Sequence, residues 1–334
     1  MSSALIDSQN RKIKSVRISI TDRCNLRCKY CMPEEGVEWQ EKSKILSFEE
    51  INHLVKLLVS VGVTNIRLTG GEPSIREDYL ELIRMLKSDN PSITLSMTTN
   101  AIKLKNDAQA LKESGMDRLN ISLDTLSHIK FNDITRRDVF SKVIEGIEKA
   151  VEVGFKEIKI NAVAIKDFNT TEDELRKFLD LATKFNIEIR FIELMPFTGM
   201  GWSNDKFISS EDLRNSISKI SEITPLPLKD PSQTSRTWDI KNQNGRVGFI
   251  SSVSESFCST CDRIRITAEG NLRPCLHNNL EYPLREMIRC GKSDEEILQV
   301  IKKGLAEKWK EHPDFLSLTY LPPMDDREMI RIGG

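Results

Sequence analysis

The chain has 334 residues and almost balanced charges, with 49 Lys and Arg against 50 Asp and Glu. That balance does not favour nucleic acid or a membrane surface as a partner, so any anion site has to be built locally. No apolar run approaches the roughly 20 residues that span a bilayer, and the N-terminal stretch has no apolar core of signal-peptide length. We therefore expect a soluble, cytoplasmic protein of one large domain or two smaller ones.

Short apolar runs alternate with amphipathic stretches over the first two hundred residues. Strands are predicted at 15–21, 65–70, 94–100, 118–124, 157–165 and 188–194. Helices are predicted between them at 48–62, 77–89, 105–115, 140–154 and 171–185. Ser47 and Glu50 form a predicted capping box at the start of the first helix. Strands that alternate with helices are typical of parallel βα units, and this pattern gives six strands.

The predicted strands are polar on one face, whereas a parallel sheet covered on both sides has strands that are apolar throughout. Polar and apolar residues alternate in these strands, and the polar positions include four cations, Arg17, Arg67, Lys159 and Arg190. A curved parallel sheet fits this pattern, with helices over its apolar face and a polar cavity for a large anion on its concave face. The alternative is an antiparallel sheet with a solvated face, but the intervening helices argue against it.

Unusual residues follow the predicted strands at their C-terminal ends. Three cysteines follow the first strand, GGEP at 70–73 follows the second, TTN ends the third and SLD ends the fourth. In parallel barrels the loops after the strands converge on one mouth, where the chemistry collects. In GGEP, glycine lets the backbone approach a ligand closely, and Glu72 is predicted to accept from a cationic group.

Six of the seven cysteines fall into two groups of three. They are Cys24, Cys28 and Cys31, and Cys258, Cys261 and Cys275, while Cys290 stands alone without a predicted role. An odd total does not suit a disulfide framework, and grouped cysteines indicate metal ligation. Iron–sulfur clusters normally take four cysteines, so three in CxxxCxxC leave one iron of a cubane open to an outside ligand. The alternative is a zinc site with a distant fourth ligand.

The chain resembles the radical S-adenosylmethionine superfamily over roughly residues 13–200. The resemblance is carried by CxxxCxxC after the first strand, by Tyr30 directly before the last cysteine of that motif, and by GGEP after the second strand. The resemblance implies a 4Fe–4S cluster whose open iron takes the amino and carboxylate groups of S-adenosylmethionine. Reductive cleavage then gives methionine and a 5′-deoxyadenosyl radical, which abstracts a hydrogen atom from the substrate. The resemblance also implies S-adenosylmethionine contacts at Tyr30, Gly71, Ser122 and Met195.

The second group of cysteines has a different spacing, CxxC followed by thirteen residues and then Cys275. Arg263 and Arg265 lie in an RIRI alternation, so their guanidinium groups share one face of a short strand. Guanidinium is the preferred partner of phosphate. We therefore expect a second open cluster beside an arginine pair, for a substrate with a basic heteroatom and a phosphate tail. The alternative is a structural zinc ribbon completed by His277 or Cys290.

Along essentially the whole chain, segments such as IRLTGGEP, EIRFIELMP and SFCSTCDRIRIT resemble the GTP 3′,8-cyclase family of molybdenum cofactor biosynthesis. The resemblance implies that the radical takes the 3′ hydrogen of GTP and that the sugar radical attacks guanine C8, giving (8S)-3′,8-cyclo-7,8-dihydro-GTP. It implies that the C-terminal cluster binds guanine through its open iron. The implied catalytic set is Cys24, Cys28, Cys31 and Arg17. The implied GTP contacts are Arg17, Arg67, Thr98, Lys159, Arg190, Arg263, Ile264 and Arg265.

The chain departs from that family in the loops after the second and third strands. Ala101 stands where glycine usually follows TTN, and Ser74 and Ile75 follow GGEP where leucine is more usual at the first position. Neither change removes an implied contact. The terminal Gly333-Gly334 pair corresponds to a tail that reaches the active site in the family, with a frayed chain end as the alternative.

We therefore predict an α/β fold in which residues 1–224 form an incomplete (β/α)6 barrel of the TIM type. A smaller C-terminal region, 225–334, is predicted to carry the second cluster and to bind GTP. The stretch 225–235 is predicted to be the linker at the start of this region. The implied cofactors are two 4Fe–4S clusters and S-adenosylmethionine. The implied partners are GTP and an unidentified electron donor, with a homodimer left open. A charged helix at 294–312 has no predicted function. The alternatives are another radical S-adenosylmethionine enzyme with an auxiliary cluster, such as a peptide-modifying maturase, and a non-enzymatic protein with two structural metal sites.

Overall fold

The computed structural model describes residues 4–197, 203–316 and 329–332. Twelve strands in these ranges form one continuous sheet. They are β1 (Ser15–Ser19), β2 (Asn65–Thr69), β3 (Thr94–Thr99), β4 (Arg118–Ser122), β5 (Ile158–Ala164), β6 (Glu188–Glu193), β7 (Ile223–Pro225), β8 (Arg236–Ile240), β9 (Arg246–Ile250), β10 (Arg263–Ile266), β11 (Asn271–Arg273) and β12 (Tyr282–Pro283). The six strands predicted from alternation are confirmed as β1 to β6.

Helices connect the strands of the parallel core, and the five predicted helices are confirmed. The helices in the described ranges are α1 (Phe48–Ser60), α2 (Tyr79–Asp89), α3 (Leu104–Glu113), α4 (His128–Thr135), α5 (Phe140–Glu152), α6 (Glu172–Phe185), α7 (Ser210–Ile220), α8 (Leu284–Arg289) and α9 (Asp294–Ala306). The capping box at α1 is present, with reciprocal hydrogen bonds between Ser47 and Glu50. The predicted helix at 294–312 is too long, because α9 ends at Ala306.

Parallel pairing dominates the sheet. The strands β1 to β6 lie side by side in chain order and all pair in parallel. β9 is a parallel neighbour of β6 and β10 is a parallel neighbour of β1, whereas the outer pairs are antiparallel. Residues 251–262 therefore run from one edge of the six-stranded core to the other, and they carry Cys258 and Cys261.

The sequence analysis predicted a linker at 225–235, and in the structure this stretch lies between two paired strands. It joins β7 to β8, which pair antiparallel within the same sheet. Proline, aspartate and serine are common both in linkers and in loops between paired strands. Composition alone therefore did not distinguish a linker from a hairpin connection.

Alternation along the strands divides the side chains between two environments. Apolar residues such as Val16 and Ile66 are buried in the core with the helices. At the intervening positions, Arg17 lies in register between Arg265 and Arg67. The predicted apolar and polar faces are therefore confirmed for these strands. Within the described ranges, no helix is both long enough and apolar enough to cross a membrane.

Candidate functional site

Cys24, Cys28 and Cys31 lie on the loop that follows β1. The Cys31 N–H donates to the Cys28 carbonyl over 2.9 Å, and the Leu26 N–H donates to Sγ of Cys24 over 3.4 Å. All three thiols are partly buried. Burial raises the pKa of Cys24 to about 11 and the pKa of Cys28 well above its usual value. Three cysteines on one short loop fit three ligands of an iron–sulfur cluster, whose iron would offset the cost of burying the thiolates.

The GGEP turn after β2 supports the backbone of the cysteine loop. The Gly71 N–H donates to the Thr21 carbonyl over 2.9 Å, and the Glu72 N–H donates to the Arg23 carbonyl over 2.8 Å. A Cβ atom on Gly70 would lie 2.3 Å from the Thr21 oxygen, and one on Gly71 would lie 2.1 Å from the Arg23 oxygen. The two glycines are therefore required because two loops of the protein approach each other closely. The sequence analysis had ascribed this need for glycine to the close approach of a ligand.

Glu72 is buried and holds the start of the loop after β3. Its Oε1 accepts from the Ser74 N–H over 3.1 Å, the Ser74 hydroxyl over 2.6 Å and the Thr99 hydroxyl over 2.8 Å. Its Oε2 accepts from the Asn100 N–H over 2.6 Å. Burial raises the pKa of Glu72, although these hydrogen bonds oppose the effect. The donors to Glu72 in this structure are neutral groups of the protein, and Oε2 accepts from one of them only, so the acceptance of a cationic group by Glu72 stays a prediction.

Tyr30 ties the cysteine loop to the ends of β4 and β5. Its hydroxyl donates to Oδ2 of Asp124 over 2.5 Å, and Oδ1 of Asp124 accepts from the Val163 N–H over 2.8 Å. Burial raises the pKa of Asp124 to about 6, although both hydrogen bonds lower it. Asp124 was part of the SLD motif, but its role as an anchor for Tyr30 depends on a contact between distant segments that the sequence analysis did not identify.

The four positions implied for S-adenosylmethionine lie at or just beyond the ends of four strands. Gly71 follows β2, and Ser122 ends β4 with an exposed side chain. Tyr30 follows β1 and Met195 follows β6, and both pack against the same small apolar cluster. The buried members of that cluster are Leu194, Phe197, Val253 and Phe315.

A row of arginines crosses three adjacent strands on the polar face. In the register of β10, β1 and β2, Arg265, Arg17 and Arg67 are direct neighbours. Burial lowers the pKa of Arg17 to about 10, and Arg263 adds to the effect. Burial also lowers the pKa of Arg67 and of Arg265 well below the usual value, with Arg17 contributing to both. Like charges that are close together and poorly hydrated favour the binding of a polyanion.

Two of the predicted cations are paired with carboxylates that the sequence analysis missed. Lys159 contacts Glu157, and Nε of Arg190 lies 2.6 Å from Oε1 of Glu188. Burial and the charge of Arg190 lower the pKa of Lys159 to about 8, although Glu157 opposes them. In a strand, residues two apart lie on the same face. The spacing of these pairs was therefore a signal that alternation analysis could have used.

Ile264 differs from the other implied GTP contacts, because its side chain is 1% exposed and packs in the core. The neighbouring Arg263 and Arg265 lie on the opposite face of β10 by alternation. Any contact of Ile264 with GTP is therefore limited to its backbone.

Several buried polar atoms of this face have no hydrogen-bond partner within the described ranges. They are Oγ1 of Thr69, Oδ1 of Asn120, Oδ1 of Asn161 and Nη2 of Arg263. Asn120 lies in register between Thr98 and Lys159, and Asn161 lies beside Ser122. A buried polar group without a partner is costly. This set of atoms therefore fits a polar ligand that reaches the positions implied for both GTP and S-adenosylmethionine.

The second group of cysteines lies beside a buried lysine that the sequence analysis missed. Cys258 begins a helical turn in the segment 251–262 and Cys261 directly follows this turn, while Cys275 follows β11. Nζ of Lys308 lies 3.4 Å from Sγ of Cys261. Burial raises the pKa of Cys261, but the positive charges of Arg263 and Lys308 outweigh it and bring the pKa to about 6. The donor set and its positive surroundings fit a second cluster with negative thiolates.

The two residues proposed to complete a zinc ribbon have different surroundings, and the zinc alternative stays open at His277, whose buried Nδ1 has no hydrogen-bond partner among the described residues. His277 stacks on Phe197 with ring centroids 5.3 Å apart, and burial lowers its pKa to about 3. Cys290 is exposed at the end of α8. In the part of the chain that the structure describes, no three His, Cys, Asp or Glu side chains are grouped to hold a single metal ion, and this applies to both cysteine groups as much as to a zinc ribbon.

Ala101 keeps the turn that the family makes with glycine. Its φ of 65° lies in the left-handed region that favours glycine, and its side chain is buried. The change therefore alters no implied contact in the site. The implied Gly333-Gly334 tail lies outside the described residues.

Comparisons with known proteins show which families this chain resembles. The family described as Radical SAM superfamily matches residues 18–182, and the family described as Molybdenum Cofactor Synthesis C matches residues 187–313. Streptococcus suis SuiB bound to precursor peptide SuiA has a TM-score of 0.64 and 17% sequence identity, covering 97% of this chain and 77% of its own. At that identity the likeness shows the fold alone.

Two curated relatives are similar along almost the whole chain. Molybdenum cofactor biosynthesis protein 1 of Mus musculus is 43% identical over 99% of this chain, which spans only 51% of that relative. The GTP 3′,8-cyclase of Rhodopirellula baltica is 41% identical over 99% of this chain and 92% of that relative. The chain therefore belongs to the radical S-adenosylmethionine superfamily and, within it, to the GTP 3′,8-cyclase family of molybdenum cofactor biosynthesis.

Proposed function

We propose that this chain converts GTP to (8S)-3′,8-cyclo-7,8-dihydro-GTP in the first step of molybdenum cofactor biosynthesis. The observation that carries the proposal is the row formed by Arg265, Arg17 and Arg67, which begins four residues after Cys261 in the second cysteine group. A buried row of guanidinium groups suits a triphosphate. The name of the Rhodopirellula baltica relative, matched over 92% of its length, supports the same substrate.

Each cysteine group would hold one 4Fe–4S cluster. The N-terminal ligands are Cys24, Cys28 and Cys31, and the C-terminal ligands are Cys258, Cys261 and Cys275. When bound, the N-terminal cluster supplies the electron for cleavage of S-adenosylmethionine, and that electron comes from an external donor. Ser122, at the end of β4, would orient S-adenosylmethionine together with Tyr30, Gly71 and Met195, which lie in the segments that follow β1, β2 and β6.

A curved sheet would let both cysteine groups face one cavity. The charge of Arg190 on β6 helps to lower the pKa of Arg67 on β2. In a flat sheet these two strands would be about 19 Å apart, at about 4.8 Å per strand, where screening leaves little interaction. This coupling supports an incomplete (β/α)6 barrel at 1–224, with the auxiliary-cluster and GTP-binding region at 225–334 closing over it.

The protein would hold the triphosphate and the base of GTP separately, with the ribose between them. Arg17, Arg67 and Arg265 would bind the triphosphate, whose charge offsets the cost of burying three guanidinium groups. Thr98, Lys159 and Arg190 would contact the nucleotide from β3, β5 and β6. The base would lie toward Arg263 and the second cysteine group. The 3′ carbon would then face the positions that orient S-adenosylmethionine.

Deuterium transfer tests this proposal. Anaerobically reconstituted protein is incubated with GTP deuterated at C3′, S-adenosylmethionine and dithionite, and the products are analysed by mass spectrometry. We expect 5′-deoxyadenosine that carries the deuterium, together with a nucleotide isomeric with unlabelled GTP. Unlabelled deoxyadenosine without a nucleotide product would contradict the proposal and favour another reaction of the superfamily.

Cysteine variants separate the two proposed cluster sites. Cys31→Ala should abolish cleavage of S-adenosylmethionine, whereas Cys275→Ala should spare some uncoupled cleavage and lose the cyclised product. Normal cyclisation by Cys275→Ala would show that the second site is assigned wrongly. Metal analysis of the parent protein should give about eight irons per chain, as two cubanes require, and zinc alone would contradict both sites.

A further inference from the structure

Lys308 contacts both chain segments that carry the second cysteine group. Its side chain emerges just after α9 and is buried, with the residue 4% exposed. Nζ lies 3.4 Å from Sγ of Cys261, donates to the Pro274 carbonyl over 3.1 Å, and donates to the Arg263 carbonyl. Pro274 directly precedes Cys275. One ammonium group therefore joins the segment of the first two cysteines to the segment of the third.

The charge of Lys308 has no carboxylate partner in the described ranges. Its contacts there are one cysteine sulfur and two backbone carbonyl oxygens. A buried charge is expensive unless an opposite charge or a metal site compensates it. Thiolates of the second cysteine group are the nearest source of negative charge, since the ammonium group already contacts one of their sulfurs.

Arg11 fixes the position of Lys308 from the N-terminal side. Its guanidinium donates to the carbonyls of Cys258 over 2.6 Å, Trp309 over 2.7 Å and Lys310 over 3.1 Å. Its own charge is paired with Asp7 at 2.6 Å. The chain around 308–310 is thus attached to the turn that carries Cys258, and Lys308 is held against Cys261 by a contact outside its own segment.

We propose that Lys308 is a positioning residue of the second cluster, where its ammonium group compensates the thiolate charge and raises the reduction potential. The inference rests on the proposed function, because it requires a cluster at Cys258, Cys261 and Cys275. Hydrogen bonds to the sulfurs and nearby charge are among the factors that set the potential of such clusters. A positive charge stabilises the more negative, reduced state, so its removal makes reduction harder.

Potentiometry of the second cluster tests the inference. The full chain with Cys24, Cys28 and Cys31 replaced by alanine serves as the reference, so that the spectrum reports the second cluster alone. In this background, Lys308→Met removes the charge with little change in volume, and Lys310→Met removes the same charge from an exposed side chain two residues away.

The midpoint potential is measured in a redox titration followed by electron paramagnetic resonance. We expect Lys308→Met to lower the equilibrium constant for reduction at least tenfold, which corresponds to a midpoint potential lower by 59 mV for one electron. Lys310→Met should stay within twofold of the reference. Equal midpoint potentials for Lys308→Met and Lys310→Met would overturn the inference.

Iron content keeps the test decisive if Lys308→Met does not retain the cluster. In that case Lys308→Arg, which restores the charge, should recover iron, and the metal-free forms of both variants should still unfold in one cooperative transition. Loss of iron from both folded variants would show that shape rather than charge matters and would overturn the inference. A reference protein that binds no iron would refute the second cluster itself, and with it the proposed function.

Discussion

Asp124 provides a test of how the first cysteine loop is fixed to the sheet. It is 6% exposed, and it accepts from the Tyr30 hydroxyl and from the Val163 N–H. Asp124→Asn keeps the shape of the side chain and its acceptor for Val163. The amide nitrogen of the variant can donate to the Tyr30 oxygen, so the second hydrogen bond reverses rather than disappears. The substitution therefore removes mainly the negative charge.

The raised pKa of Asp124 lowers the stability of the native state at neutral pH. Its usual value of 3.8 becomes about 6 in the folded chain, chiefly because of burial. The folded state therefore binds more protons than the unfolded state between these values, and stability falls as pH rises through them. At 1.36 kcal/mol per pKa unit, the whole effect is about 3 kcal/mol. Between pH 5 and pH 8 it is about 1.4 kcal/mol.

Urea unfolding of the metal-free protein at pH 5 and pH 8 measures this effect. Between pH 5 and pH 8, the free energy of unfolding of Asp124→Asn minus that of the parent should increase by about 1.4 kcal/mol. Tyr30→Phe is the matched control, because it removes a hydrogen bond that lowers the pKa and should make the slope steeper. If the difference between Asp124→Asn and the parent is the same at both pH values, the argument from burial is wrong.

Other substitutions probe the glycine turn, the arginine row and the isolated cysteine. Gly71→Ala places a Cβ atom 2.1 Å from the Arg23 carbonyl oxygen, so we expect a loss of at least about 2 kcal/mol in urea unfolding; an unchanged midpoint would contradict the tight packing. Arg17→Gln should weaken GTP binding at least about tenfold in calorimetry, since a hydrogen bond to a charged group contributes about 1.5–3 kcal/mol. Unchanged affinity for GTP, or an equal loss of affinity for S-adenosylmethionine, would contradict its assignment to phosphate. Cys290→Ser should leave iron content and cyclisation unchanged, because the thiol is exposed at a helix end; loss of iron would make Cys290 a ligand.

The local features of this fold could be predicted from the sequence. The alternation of Arg17 and Arg67 with apolar neighbours depends only on the two-residue period of a strand, and the structure places both on one face. The capping box of Ser47 and Glu50 likewise involves residues three apart. Because parallel strands expose their C-terminal ends at one edge, the order of strands also located the loop of Cys24 and the GGEP turn.

Features that depend on distant segments could not be predicted in this way. Gly71 is required by the carbonyl of Arg23, a contact between the loops that follow two different strands. Lys308 and Arg11 approach the second cysteine group from opposite ends of the chain, and neither belongs to a recognisable motif. The ion pair of Glu188 and Arg190 is different, since its two-residue spacing was visible. It was missed because cations alone were sought on the polar face.

If the arginine row binds the proposed triphosphate, both regions of the chain are needed for that binding. Arg17 and Arg67 come from β1 and β2, but Arg265 joins them only when β10 pairs with β1. Burial and mutual repulsion of these cations oppose that pairing, whereas a bound polyanion removes the repulsion. A ligand that binds the native state stabilises it, so GTP should favour the docking of β10 and of the cysteine segment 251–262 that leads into it. The substrate site and the second cluster site would then form together.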